Sequence, residues 1–139
     1  MDFRVRASTK EDCRDISRMI MELAVYENMP DQVKISHEEL ERDGFCQNPF
    51  FECLVAEVPE EHKSKDGKGI GKSLLSKVAA VGKEKQCARL NLSVLDWNTP
   101  SRDFYAAKGA QDLTDSEGWH FIRFDGKNLD SLANEAPKD

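Results

Sequence analysis

The sequence contains no apolar run that approaches the ~20 residues of a membrane-spanning helix, and its first residues lack the apolar stretch of a signal peptide. We therefore expect a cytoplasmic protein with no membrane partner. Positive charge is also scarce, because 20 Lys and Arg residues stand against 26 Asp and Glu residues and leave a net charge of −6. A protein of this charge is a poor partner for nucleic acid.

Closely spaced cysteine pairs are absent as well. The four cysteines form no CxxC pair, and the three histidines lie far from them in the sequence, so the ligand spacing of a zinc site is missing. We expect free thiols, as is usual in a reducing compartment, and no bound metal.

The 139 residues, with 39% hydrophobic and 33% charged positions, are typical of one soluble globular domain covering residues 1–139. Alternating and helical apolar patterns predict an α/β order of elements. Strands are predicted at residues 3–7, 50–58, 89–95 and 119–124. Helices are predicted after Thr9, at 38–42 after Ser36, from Gly69 onward, from an N-cap at Thr99 to Gly109, and after residue 128.

The most informative short motif is a glycine-rich segment that leads into a predicted helix. Its residues are Gly67, Lys68, Gly69, Ile70, Gly71 and Lys72. Bare amides at a helix N-terminus, together with two lysines, favour an anion such as a phosphate. A Walker loop requires glycine where Asp66 stands, and a dinucleotide motif requires glycine at Lys72. A simple turn before a helix remains the structural alternative.

A second motif, W-N-x-P-S-x-x-F-Y-x-x-x-G-A, covers residues 97–110. Together with the glycine loop, it resembles the GNAT acetyltransferase superfamily. More narrowly, the chain resembles the diamine acetyltransferases, which include spermidine/spermine and thialysine enzymes. Segments at residues 24–27, 43–51, 54–59 and 117–119 match the same subfamily, so the resemblance extends over nearly the whole chain.

The resemblance implies a GNAT-type fold, in which helices flank a mixed and mostly antiparallel sheet, and a homodimer. It implies direct attack of a small-molecule primary amine, of a polyamine or of thialysine, on acetyl-CoA. Tyr105 would protonate the departing thiolate, which suits a phenol because it keeps its proton at neutral pH. The cofactor would be held by Gly67 to Lys72, Asn98, Ser101 and Tyr105. The amine would be held by Tyr26, Glu27, Asn91, Leu92, Ser93 and Glu117.

The resemblance also exposes an internal shortening. In the family, a two-strand hairpin follows the strand that ends near Val58, and here about 30 residues of strand and connection are missing before the glycine loop. The first of those strands pairs with the pantetheine arm and carries an acidic residue for the amine. Asp66 also stands where the family has Arg or Gln. A catalytically impaired variant that acts as a dimerising or interaction module is therefore the alternative to an active enzyme.

Overall fold

The computed structural model describes residues 3–62 and 69–138. The chain divides into two compact units, Met1–Ser93 and Val94–Asp139, and a single domain over residues 1–139 stays a prediction. Within the described residues, the helices are too short or too polar to span a membrane. All four cysteines are free thiols.

The first unit contains a two-stranded antiparallel sheet of β1, Arg4–Ala7, and β2, Leu54–Glu57. In its register Arg4 lies opposite Glu57, and Ala7 lies opposite Leu54. Helix α3, Ile70–Glu84, packs against both strands. Both strands lie within the predicted segments and are shorter than expected.

Two further helices in this unit follow capping boxes, after Thr9 and after Ser36, where the sequence predicts helices. Thr9 and Asp12 form the first box, ahead of α1, Cys13–Tyr26. Ser36 accepts a hydrogen bond from the Glu39 amide at the start of α2, His37–Gly44. Because each box joins residues three apart, a local motif is sufficient to predict it.

The small core of the first unit lies on α1 and α2, which pack against each other. Its buried apolar residues, among those that the structure describes, are Cys13, Ala24 and Leu40. The apolar side chains of α1 are only partly covered, because Met19 and Leu23 remain 46% and 54% exposed. Packing between the two helices therefore rests on few side chains.

Truncation of Leu40 tests that packing. Leu40 is 7% exposed, so Leu40→Ala is expected to lower the free energy of unfolding by about 2–5 kcal/mol through lost burial and the cavity left behind. Urea denaturation followed by circular dichroism measures the change. The control is Leu132→Ala on a 45% exposed side chain, and equal effects of the two substitutions would contradict the packing assignment.

An ion-pair network joins the sheet to the start of α1. The Arg6 guanidinium donates to Asp12 Oδ2 at 2.8 Å and to Glu57 Oε2 at 3.1 Å. Asp12 also accepts from the Thr9 amide at 2.7 Å. Arg6, followed by the Thr9 amide, holds the pKa of the Asp12 carboxyl well below its usual range.

This network predicts acid sensitivity. Because the folded state lowers the pKa of Asp12, its stabilisation is complete above the unfolded value near ~4 and is lost as the pH falls below it. Asp12→Asn is expected to cost about 1 kcal/mol at pH 7 and progressively less below pH ~4. Unfolding measured from pH 7 to pH 2 gives the profile. Asp15→Asn, on a side chain 74% exposed, is the control, and an unchanged acid profile in Asp12→Asn would refute the assignment.

The second unit contains three helices in the order α4, Thr99–Ala107, α5, Leu113–Glu117, and α6, Gly126–Asn134. Helices α4 and α6 agree with prediction in position. Helix α5 was not predicted from the sequence, and it begins at Asp112, whose carboxylate accepts from the Thr114 and Asp115 amides.

The structure corrects two strand predictions. Residues 89–95 and 119–124 carry no strand, although Leu90 and Leu92 follow the expected alternation and are 50% and 46% exposed. An alternating segment becomes a strand only when a second segment provides its hydrogen bonds, and the described residues contain only the β1–β2 pair. Trp97 and Trp119, two large aromatic side chains, are 50% and 63% exposed.

Candidate functional site

The N-terminus of α3 has the geometry of an anion-binding helix end. Gly69 precedes the helix with a φ of 87°, a left-handed conformation that favours glycine. Among the described residues, apart from neighbours along the chain, no atom lies within 4 Å of the place that a Cβ at Gly69 or Gly71 would occupy. The first amides of a helix have no partner within it, and Lys72 adds positive charge. Gly67, Lys68 and Asp66 lie outside the described residues.

Helix α4 begins with an asparagine cap. The Asn98 side-chain oxygen accepts from the Ser101 amide at 3.4 Å, and the Asn98 carbonyl accepts from the Arg102 amide at 3.0 Å. The N-cap is therefore Asn98, whereas Thr99 was predicted. The helix ends before Gly109, which has a φ of 95°, as the sequence predicts.

Tyr105 lies on the same face of α4 as Ser101, because residues four apart are neighbours on a helix. Its side chain is half-buried, and its ring lies edge-on to Phe104 with centroids 5.4 Å apart. The Tyr105 carbonyl accepts from the Lys108 and Ala110 amides at the helix end. Ser101 and Tyr105, two of the predicted cofactor-binding residues, therefore lie on one face of α4, and Asn98 caps the same helix.

Tyr26 and Glu27 lie at the C-terminal end of α1. The Glu27 amide donates to the Leu23 carbonyl at 2.9 Å, and its side chain is half-buried, while Tyr26 is 58% exposed. The C-terminal end of a helix carries partial negative charge. A carboxylate and an aromatic ring there favour a cation such as an alkylammonium group.

The other predicted substrate residues lie outside regular strands. Glu117 is the last residue of α5, and its Oε1 accepts from Trp119 Nε1 at 2.8 Å. Asn91, Leu92 and Ser93 are exposed and carry no strand. The prediction of a strand beside the substrate is therefore wrong, because no second segment pairs with these residues in the described part of the chain.

The predicted site residues are distributed over both units. The described part of the glycine loop, Tyr26, Glu27 and residues 91–93 belong to the first unit, and Asn98, Ser101, Tyr105 and Glu117 belong to the second. Within the second unit, α4 brings Asn98, Ser101 and Tyr105 together, whereas Glu117 lies on α5.

The ion pairs of Arg102 were not predicted from the sequence. Its guanidinium contacts Asp96, Asp112 and Asp115 at 3.4, 3.2 and 3.8 Å. The sequence does contain a hint of these ion pairs, because Arg102 lies in a predicted helix that has aspartates both before and after it. Charge pattern alone does not specify these partners, because Arg102 and Asp112 are ten residues apart.

Comparison with known proteins identifies the class. A model of the acetyltransferase (GNAT) family matches residues 62–110, the segment that contains the glycine loop and α4. The chain also resembles, in fold, an integron cassette protein from the mobile metagenome of V. cholerae, with a TM-score of 0.67, 22% identity and coverage of 97% of this chain and 99% of that one. The fold is therefore of the GNAT type.

Curated relatives establish membership at higher identity. The chain is 40% identical over 165 residues to a thialysine N-epsilon-acetyltransferase of Bos taurus, covering 94% of this chain and 97% of the relative. It is 32% identical over 166 residues to a spermidine/spermine N(1)-acetyltransferase-like protein 1 of Homo sapiens, covering 96% of this chain and 24% of that one. The chain belongs to the acetyltransferase (GNAT) family, and acetyl transfer is its class of activity.

The bovine alignment also measures the shortening. The alignment is 165 positions long but includes only 94% of this chain, about 131 residues. About 34 positions of the relative therefore have no counterpart in this chain. This difference agrees in size with the about 30 residues expected to be missing after β2.

Proposed function

We propose that this protein is an acetyl-CoA-dependent N-acetyltransferase that acts on a primary amine of thialysine or of a polyamine. The observation that carries the proposal is the 40% identity over nearly the full length of a thialysine N-epsilon-acetyltransferase. The same comparison disfavours a non-catalytic interaction module as the principal role. The homodimer and the cytoplasmic location implied by the resemblance stay predictions.

The residues present fit an acyl-CoA cosubstrate. The first amides of α3, with Lys72 among the residues of its first turn, suit the negative charge of a pyrophosphate. The family resemblance assigns Asn98 and Ser101 to the same ligand. Acetyl-CoA would supply the acetyl group as a thioester.

The chemistry requires positioning and one proton donor from the protein. The amine nitrogen, after losing its ammonium proton to solvent, attacks the carbonyl carbon directly; a C–N bond forms, the C–S bond breaks, and the nitrogen loses a second proton to solvent. Tyr105 donates its Oη proton to the departing sulfur and regains a proton from solvent. Glu27 and Glu117, each at the C-terminal end of a helix, attract the ammonium groups of the substrate.

The proposal is tested by incubating the purified protein with acetyl-CoA and, separately, thialysine, spermidine and spermine, with mass spectrometry of the products. Single acetylation of at least one amine is expected. Calorimetric titration with coenzyme A is the parallel measurement. Absence of product from all three amines together with absence of coenzyme A binding would refute the proposal.

A further inference from the structure

A single arginine links the helix that carries Tyr105 to the helix that carries Glu117. Arg102, in the first turns of α4, donates from Nη1 to the Asp96 carbonyl at 3.1 Å and from Nη2 to Asp112 Oδ2 at 3.2 Å. Arg102 therefore joins three places in the chain, the turn before α4, α4 itself and the residue that caps α5.

Asp112 uses its two carboxylate oxygens for different purposes. Oδ1 accepts from the Thr114 amide at 3.0 Å and from the Asp115 amide at 3.4 Å, which caps α5. Oδ2 accepts from Arg102. Because both oxygens belong to one rigid group, the cap of α5 and its attachment to α4 are coupled.

Helix α5 depends on such attachments because it is short. A five-residue helix is far below the length at which an isolated helix is stable in water. Its residues are also exposed, so burial contributes little to its position. Without Arg102, the carboxylates of Asp96, Asp112 and Asp115 would also lose the cation that they share.

We propose that Arg102 is a positioning residue, which fixes α5, and through it the Glu117 carboxylate, against the helix that carries Tyr105. Arg102 does not contact the amine in this proposal; it acts through Asp112. The part that concerns amine binding rests on the proposed function, whereas the part that concerns the position of Glu117 does not.

The Trp119 indole provides a readout that requires no activity. Its Nε1 donates to Glu117 Oε1 at 2.8 Å, so the NMR resonance of this indole N–H reports the position of the carboxylate. In Arg102→Met, which keeps much of the stem and removes the charge, we expect this resonance to shift or broaden. Arg102→Lys, which keeps the charge and loses the fork of donors, is expected to restore it only in part.

Kinetics supply the second readout. Arg102→Met is expected to raise KM for the amine by about tenfold, since small misplacements of a binding group have effects of this size or larger. KM for acetyl-CoA should stay unchanged. In the Glu117→Gln background, the same substitution should add no further increase, because the group that it positions is already altered.

Arg18→Met is the matched control, since Arg18 also contacts two carboxylates, on α1, at 2.9 and 3.8 Å. It should leave the Trp119 resonance and both KM values unchanged. An unchanged Trp119 resonance in Arg102→Met would overturn the proposal. So would equal increases in KM for the amine and for acetyl-CoA that are additive with the effect of Glu117→Gln. A shifted resonance in a protein that acetylates no amine would retain Arg102 as the residue that positions Glu117 and would refute the proposed function instead.

Discussion

Insertion of the segment that the relatives possess is expected to raise amine acetylation by two orders of magnitude or more. The family resemblance assigns to that segment a strand that pairs with the pantetheine arm and an acidic residue that meets the amine. Several hydrogen bonds, each worth ~1–3 kcal/mol, are then missing from the 139-residue chain, and each ~1.4 kcal/mol corresponds to a factor of ten in binding. We expect weak coenzyme A binding and low turnover in the chain as it stands.

The experiment compares two insertions between β2 and α3. The first insertion contains the residues of the bovine relative that have no counterpart in this chain, about 34 in number. The second is a Gly/Ser linker of equal length. Steady-state turnover of thialysine and spermidine, with calorimetric titration of coenzyme A, is measured for both and for the unaltered chain. Only the first insertion should increase binding and rate. Comparable rates in all three proteins would show that the shorter chain already contains a complete site.

Replacement of Tyr105 by phenylalanine is expected to lower kcat by about 10²-fold or more, the usual contribution of a positioned general acid. The substitution removes the hydroxyl and keeps the ring that lies against Phe104. Since the side chain is half-buried and its ring packing is preserved, the melting temperature should hardly change.

The prediction for Tyr105 is best measured in the protein with the bovine insertion, where the starting rate is higher. Phe104→Leu, which alters the neighbouring ring and no titrating group, separates loss of the proton donor from loss of packing. It should affect stability more than kcat, and Tyr105→Phe should do the reverse. Full activity in Tyr105→Phe would assign Tyr105 to packing alone.

The resemblance that identifies the family required only the order of residues. The glycine loop and the motif at residues 97–110 are each contiguous, so their match needs no knowledge of which segments meet. Assignment of Tyr105 and Glu117 to roles follows from position in the matching segments. Their mutual arrangement does not, because it depends on the connection between α4 and α5.

The sequence by itself determined the elements whose stabilising contacts are local. Ser36 and Glu39, like Thr9 and Asp12, meet across three residues, and Gly109 ends α4 through its own φ. Such contacts depend on nearest neighbours along the chain, and their patterns can be read directly.

Only the tertiary structure decided which alternating segments became strands and which polar groups met. Residues 54–57 pair with residues 4–7, whereas residues 89–95 and 119–124, with equally suitable patterns, carry no strand. Likewise, Arg102 forms an ion pair with Asp112, which lies ten residues further along the chain. The physical reason is common to both cases: a strand and a long-range ion pair each require a second group, and its availability is a property of the folded chain rather than of the local sequence.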